Sequence, residues 1–379
     1  MISSGAIRRR SSPLWIVCAL ALAGCATTPE APASGSGDDQ GSTAPQVAWV
    51  VDVDQRHPMS PPGTSQPGIF GNRVVIGGRD RRVHVYDLHG NELRRIALEA
   101  PCESEALVMN QHLAVLGDVN GTLYGIDPQA GRILWRKRLS SLLLGHPVRL
   151  DDDFLIQTAS NEIYRFSSTG EKSWSFAGPA GGLMMHQGPS PRVSGDAVYA
   201  VLTNGDVVSL QADSGDLVWR LQLLLDTSAV VLSEMKTPVA DPVLAGNTLI
   251  VSFYQGDVIA LSAKNGQQLW RRHISLKSTP LVEGDRLVAT TSGGAVLALD
   301  VRSGETLWQQ KLSTGELVGP VLSEGELFAA DDRGHVYALR PDGRRSGKLD
   351  LPGRLDRAPV AVVGGILIRN HLGGLYLIR

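Results

Sequence analysis

One unit recurs along this chain about every forty residues. It runs as a strand opened by proline, a second apolar strand, a Gly-x-Val/Leu-x-Ala-Leu-Asp stretch, a Ser-Gly-type turn, and then Leu-Trp. The residue that precedes the third strand falls at Arg82, Gly121, Asn161, Gly205, Gly256, Gly294, Gly334 and Gly374, at intervals of 39, 40, 44, 51, 38, 40 and 40 residues. Four short strands on a period near forty make a propeller blade, and eight anchors predict eight blades. The expectation is an all-β, eight-bladed β-propeller of four-stranded antiparallel blades over residues 47–379.

The third strands, such as Val296-Leu297-Ala298-Leu299 and Val258-Ile259-Ala260-Leu261, are apolar without alternation. A strand solvated on one face alternates, so a continuous run predicts burial on both faces, as between two neighbouring blades. Turns such as "DVRSGE", "QADSGD" and "AKNGQQ" put glycine or asparagine where a hairpin needs positive φ, and Asp127 and Asp300 are expected to cap such turns. Trp49, Trp135, Trp174, Trp219, Trp270 and Trp308 share one slot in the outer strand. Their even spread predicts rings packed in the seams between blades; a ligand site would concentrate them.

Trp49 lies in "QVAWVVDV", residues 46–53, an outer strand with no blade before it. The C-terminal "APVAVVGGILIRNHLGGLYLIR" supplies a last blade that lacks an outer strand. The N-terminal strand is therefore expected to complete the eighth blade, closing the ring and covering both sheet edges.

The first residues read as a targeting segment: Arg8, Arg9 and Arg10, then the apolar "LWIVCALALA". Ten apolar residues are too few to span a bilayer as a permanent helix. Leu22-Ala23-Gly24-Cys25 resembles the bacterial lipobox, in which the cysteine thiol accepts diacylglycerol. The expected organisation is a signal over 1–24, a lipidated Cys25 with a flexible tether over 25–46, and the propeller over 47–379. Alanine, not aspartate, at position 26 implies by the same resemblance an address at the periplasmic face of the outer membrane. Buried acyl chains would hold the protein at that surface without spanning it.

Cys102 is then the one remaining thiol, so no internal disulfide is expected, and a small buried side chain is the expectation there. Formal net charge is −2, and removal of the signal takes three arginines and no acid, leaving −5. That balance gives no footprint for nucleic acid. The sequence carries no C-x-x-C-H, H-E-x-x-H or G-x-S-x-G motif. No catalytic set, metal or cofactor is expected. His84 and His89, the nearest histidine pair, are expected to be solvated turn residues beside Asp87, not metal ligands.

The tryptophan-bearing repeat resembles the pyrroloquinoline-quinone-type propeller family, which includes quinoprotein dehydrogenases. With the lipobox, the short tether, eight repeats and the final "GGLYLIR", the chain is similar to one branch of it: the propeller lipoproteins of the outer-membrane β-barrel assembly machinery. That resemblance implies a non-catalytic scaffold that binds the periplasmic POTRA domains of BamA, reaches other subunits through BamA, and assists nascent β-barrel clients. The alternatives are a periplasmic quinone-dependent oxidoreductase, which departs from this chain in length and in its adjacent cysteine pair, and a general envelope scaffold.

Connection lengths point to where a partner would dock. From each tryptophan to the next strand-opening proline there are 12 residues (Trp135 to Pro147), 10 (Trp270 to Pro280) and 12 (Trp308 to Pro320). Trp174 to Pro191 is 17, Trp219 to Pro242 is 23, and the proline-rich Trp49 to Pro67 is 18. The additions, "GPAGGLMMHQGPSP" and "LLLDTSAVVLSEMKTPVADP", are rich in leucine, methionine and valine. The apolar part of the second either folds down on the blades or stays exposed; the methionines of the first are expected to form an adaptable apolar patch. The family's leucine-x-leucine-arginine contact run falls on Leu183, Met184, Met185 and His186: Leu183 matches, Met185 is an apolar replacement, and His186 stands for the arginine. Of the family's acidic pair in the next connection, Glu234 is present and Lys236 takes the other place.

Overall fold

The computed structural model describes residues 44–54, 65–179, 181, 188–223 and 237–379. Cys25, Leu183, Met184, Met185, His186 and Glu234 all lie outside the described residues.

Eight antiparallel sheets follow one another along the chain. Blade 1 is typical, with strands Gly68–Phe70, Arg73–Gly77, Arg82–Asp87 and Glu92–Ala97 running from the ring axis to the rim. Every seam between consecutive blades holds its own cluster of buried apolar side chains. Blades 1 and 2 meet through Val75, Val85, Leu116 and Ile126, and blades 6 and 7 through Val288, Val296, Ala329 and Leu339. A cluster of Val74, Ile76, Leu367 and Leu377 joins blade 8 back to blade 1. This is the reason for the unalternating third strands: Ala295–Asp300 is buried at all five residues from Ala295 to Leu299. Full burial of each Val or Leu there contributes about 1.5–3 kcal/mol.

The tryptophans bind each blade to the next. Each ring lies over a positive-φ glycine in the following blade's third-to-fourth-strand turn, where a Cβ would stand 2.5–3.0 Å from ring atoms: Gly90 under Trp49, Gly170 under Trp135, Gly215 under Trp174, Gly266 under Trp219, Gly304 under Trp270 and Gly343 under Trp308. Glycine is required there twice over, for φ and for space. The indole N–H then donates across the seam, for instance from Trp49 to the Leu88 carbonyl at 2.9 Å and from Trp270 to that of Val301 at 2.8 Å. At Trp308 the ring packs in the same way, but its Nε1–H is buried without an acceptor.

Two blades lack the tryptophan, and each has a substitute. In blade 1, Arg94 fills the slot, its stem against Gly131 and its Nε–H donating to the Gln129 carbonyl at 3.0 Å. In blade 7 the slot is Gly347, and Pro45 packs where a side chain would be. The N-terminal segment crosses blade 7 through that gap.

It then forms Val47–Asp52, which pairs antiparallel with Gly374–Ile378, Trp49 opposite Leu377 and Asp52 opposite Gly374. The eighth blade is completed by the N-terminal strand. Beyond it, Asp54 meets Arg369 of blade 8 at 2.5 Å, and both side chains are buried. Arg369 also donates to Ser65 and to the Gly77 carbonyl of blade 1. One guanidinium thus ties the closing strand to both blades beside it.

Before the inner strand of blades 2, 3 and 6, Cys102, Leu143 and Leu276 each make an isolated antiparallel bridge to the residue just past the second strand, and in blade 5 the same position is a two-residue strand. There Thr237–Pro238 pairs with the far end of Thr248–Tyr254, while Val243–Ala245 pairs with its near end. The inner position of this blade is split in two by Val239–Pro242.

The turn aspartates cap as their positions suggest: Asp127 Oδ1 accepts from the N–H groups of Gln129 and Ala130, and Asp300 Oδ1 from those of Arg302 and Ser303. Cys102 is fully buried, and burial pushes its thiol up to about 12, which makes it inert as a nucleophile.

His84 corrects an expectation. It is 1% exposed, in the third strand of blade 1, with Nδ1 2.7 Å from Glu92 and Nε2 3.2 Å from Asp80; only His89 is a solvated turn residue. Alternation in "RVHVYD" gave no sign of a charge inside the seam, because the carboxylates that pair it come from a neighbouring turn and strand. Burial opposes charge on His84, but the two carboxylates outweigh it and hold the pKa above the ordinary histidine value. Asp80 and Glu92 are correspondingly lowered. Stability from a raised histidine is complete below its unfolded value of about 6.5 and lost as pH rises through the folded one; that from lowered carboxylates is lost as pH falls through theirs. The advantage of the native chain over His84→Gln, measured by urea midpoint, is therefore expected to be largest between the carboxylate range and about pH 6.5 and to shrink at higher pH. A difference that stayed constant to about pH 9, well above the ordinary histidine value, would contradict the ion-pair account.

Candidate functional site

The innermost strands open on proline, and of the residues before those prolines Gln66, His146, Asp241, Thr279 and Ala358 line an axial cavity. The full set before the prolines is Gln66, His146, Ser190, Asp241, Thr279, Gly319 and Ala358, with Glu105 at the corresponding place in blade 2, where alanine replaces the proline. A residue before a trans proline is biased toward extended backbone, which helps set its side chain and N–H; Gly319 differs, with φ +103°.

These groups are linked from blade to blade. The His146 N–H donates to Ser190 Oγ at 2.8 Å, the Ser190 N–H to Asp241 Oδ1 at 2.6 Å, and the Asp241 N–H to Thr279 Oγ1 at 3.0 Å. Farther round, Gly319 N–H donates to Ser278 Oγ at 3.0 Å, and Gln66 Nε2 to the Ala358 carbonyl at 2.8 Å. Gly145 admits the Ser190 hydroxyl, which would clash with any Cβ there. The result is a fixed polar collar around an axial cavity of about 370 Å³.

His146 Nδ1 lies 2.8 Å from Ser190 Oγ, 3.9 Å from Glu105 Oε2, and its Nε2 4.0 Å from Asp241 Oδ2. Burial lowers the His146 pKa, but the two carboxylates outweigh it and the imidazole is held above its ordinary value. Burial raises Glu105. The histidine–serine contact resembles part of a hydrolytic triad, yet the Ser190 hydroxyl already accepts the His146 N–H and is held in the collar. On the far lip, Glu316 accepts from Lys277 Nζ and the Tyr254 hydroxyl, both at 2.7 Å; burial raises its carboxyl, and these partners together hold it below the usual range.

The two long connections begin and end at this same end of the ring. The first leaves blade 3 where Gly178 N–H donates to the Asn161 carbonyl and Asn161 Nδ2 to that of Pro179, both at 2.9 Å, and returns where Gly188 N–H donates to the Leu144 carbonyl at 2.9 Å. The second leaves from Leu223, packed in the seam of blades 4 and 5, and returns as Thr237–Pro238. Gly188 and Val239 both line the axial cavity. The stretches carrying Leu183, Met184, Met185, His186 and Glu234 are thus rooted beside the channel mouth, although those residues themselves fall outside the described ones.

Sequence reasoning used the strand-opening prolines only to count loop lengths and passed over the collar. The signal was present in the polar residue before Pro147, Pro191, Pro242 and Pro280.

The chain matches a family model described as outer membrane protein assembly factor BamB, over residues 79–310 and 292–371. It is 25% identical over 266 residues to outer membrane protein assembly factor BamB of Yersinia pestis, covering 69% of this chain and 67% of that one. It is 22% identical over 342 residues to the protein of the same name in Burkholderia pseudomallei, covering 88% of each. The crystal structure of BamB from Moraxella catarrhalis shares the ring with a TM-score of 0.77 at 17% identity, covering 88% of this chain and 99% of that one.

Proposed function

The chain belongs to the BamB family of outer membrane protein assembly factors, and on that premise we propose that it is a non-catalytic scaffold that binds the periplasmic POTRA domains of BamA. Through BamA it joins the other subunits of the machinery and assists insertion of β-barrel clients. The observation that carries this reading is the family match across the blades together with two extended connections rooted on one face. Leu183, Met184 and Met185 supply the adaptable apolar contact, and His186 and Glu234 flank it.

The outer strands support a role toward clients. Each is hydrogen-bonded within its sheet on one side, and Leu134, Val218, Leu269 and Leu307 are exposed along them. Such edges suit receipt of an extended segment by β-augmentation. A lipid on Cys25 and the tether over 25–46 would keep the ring beside the outer membrane.

Affinity capture from detergent-solubilised envelopes tests the reading: BamA is expected in the eluate, and its absence together with every other subunit would overturn it. Cys25→Ser is expected to move the protein from the membrane to the soluble periplasmic fraction. Retention on membranes after a salt wash would contradict the anchor.

A further inference from the structure

The axial cavity carries two charged groups, Arg357 and Glu105, to which the collar gives no hydrogen bond. Arg357, in the segment leading into blade 8, lines the cavity without a hydrogen bond among the described residues, with Asp356 and Glu105 as the carboxylates that act on it. Glu105, on the arc formed by blades 2 to 5, also lines it, and its nearest charge is His146 at 3.9 Å, too far for a hydrogen bond. Asp241 Oδ2 has the same position with respect to His146, at 4.0 Å. Lys277 differs, since Glu316 neutralises it at 2.7 Å. Charge without a hydrogen bond in a partly enclosed cavity is costly, and a ligand of matching charge offsets that cost.

The arrangement selects among ligand charges. A dianion would meet Glu105, Asp241 and Asp356, whereas a simple cation would meet Arg357 and His146. Arg357, leading into blade 8, and the carboxylates of Glu105 and Asp241 line one cavity, which suits one ligand bearing both signs. Guanidinium offers a planar fork for a carboxylate, and a carboxylate offers acceptors for an ammonium. Burial lowers the Arg357 pKa and raises that of Glu105, against the attraction of Asp356 and Glu105 for the first and of His146 and Arg357 for the second. The cavity, about 370 Å³, is within the range of small-molecule sites.

We propose that the axial channel binds a small zwitterion of amino-acid or dipeptide size, with its carboxylate on Arg357 and its ammonium on Glu105. Nothing in this site depends on the docking of BamA, and the two stand or fall separately. His146 remains bonded to Ser190, with Glu105 toward its Nδ1 and Asp241 toward its Nε2.

Calorimetric titration of the mature chain tests it with L-alanine and L-alanyl-L-alanine, against N-acetyl-L-alanine and L-alaninamide, which each keep a single charge. At least one zwitterion is expected to bind saturably, and the blocked analogues at least about tenfold more weakly. Arg357→Gln and Glu105→Gln are each expected to weaken the zwitterion about tenfold or more, with the far-ultraviolet spectrum of the ring retained. The comparison of analogues on the native chain decides the matter even if a variant fails to fold. Absence of saturable binding up to about 10 mM, equal binding of the blocked analogues, or unchanged binding in a folded Arg357→Gln protein would overturn the proposal.

Discussion

Arg369→Ala is expected to lower the stability of the ring by about 3–5 kcal/mol, because it leaves Asp54 charged and buried without its partner. Both side chains are under 10% exposed, so solvent screening gives little relief. The same change removes the donors to Ser65 and to the Gly77 carbonyl, the link from blade 8 to blade 1. Asp54→Ala is expected to cost a similar amount by the reverse route. The double replacement Arg369→Met with Asp54→Leu removes both charges together and should recover much of either loss, since a buried pair is often matched by apolar residues of like volume. Urea unfolding of the four proteins measures this. A double variant less stable than either single variant would show that the two groups do not act as a pair.

The second large effect concerns the seams. Trp270→Ala is expected to cost about 3–5 kcal/mol, from the lost ring contact with Gly304 and the cavity left at the rim. The two seams bearing Trp270 and Trp308 then separate on a smaller change. Trp270→Phe leaves the Val301 carbonyl without its donor, worth about 1–3 kcal/mol beyond the lost area. Trp308→Phe removes an N–H that is already buried without an acceptor, so it should be milder by about 1 kcal/mol or more. The cause is local: the turn beneath Trp308 is Pro341-Asp342-Gly343, and the Pro341 carbonyl accepts from Arg286. Equal urea midpoints for the two phenylalanine variants would contradict this account.

The ring was legible because its causes are local and repeated. Unalternating third strands state that both faces are covered, and "QVAWVVDV" declares itself as an outer strand by carrying the tryptophan of one. The closing strand therefore followed from counting what each end lacked. Other features have no local cause. Arg369 and Asp54 are separated by 315 positions, and neither residue's neighbours announce a buried charge. Arg94 and Gly347 fill the tryptophan slot with different chemistry, so a search for tryptophan passes over them. His84 shows a related limit, since a polar residue in an apolar run reads as a surface residue until its carboxylates are seen. The channel collar was written at the residue before each proline, but a repeat search averages over such positions, and each blade contributes a different side chain.

The candidate partner site was legible in another sense. Connection lengths located two insertions at one end of the ring, and their described ends do lie beside the channel mouth. The contact residues within them rest on the family pattern alone, where His186 replaces an arginine and Lys236 an acid.

The most direct test of the central claim is the affinity of the purified mature chain for the periplasmic domains of BamA from the same bacterium, measured by titration calorimetry for the native chain and for Met185→Asp. Saturable binding is predicted, weakened at least about tenfold by the charge in the apolar contact, while the rim variant Leu307→Asp binds BamA as the native chain does. Absence of binding by the native chain, or equal affinity for Met185→Asp, would contradict the account.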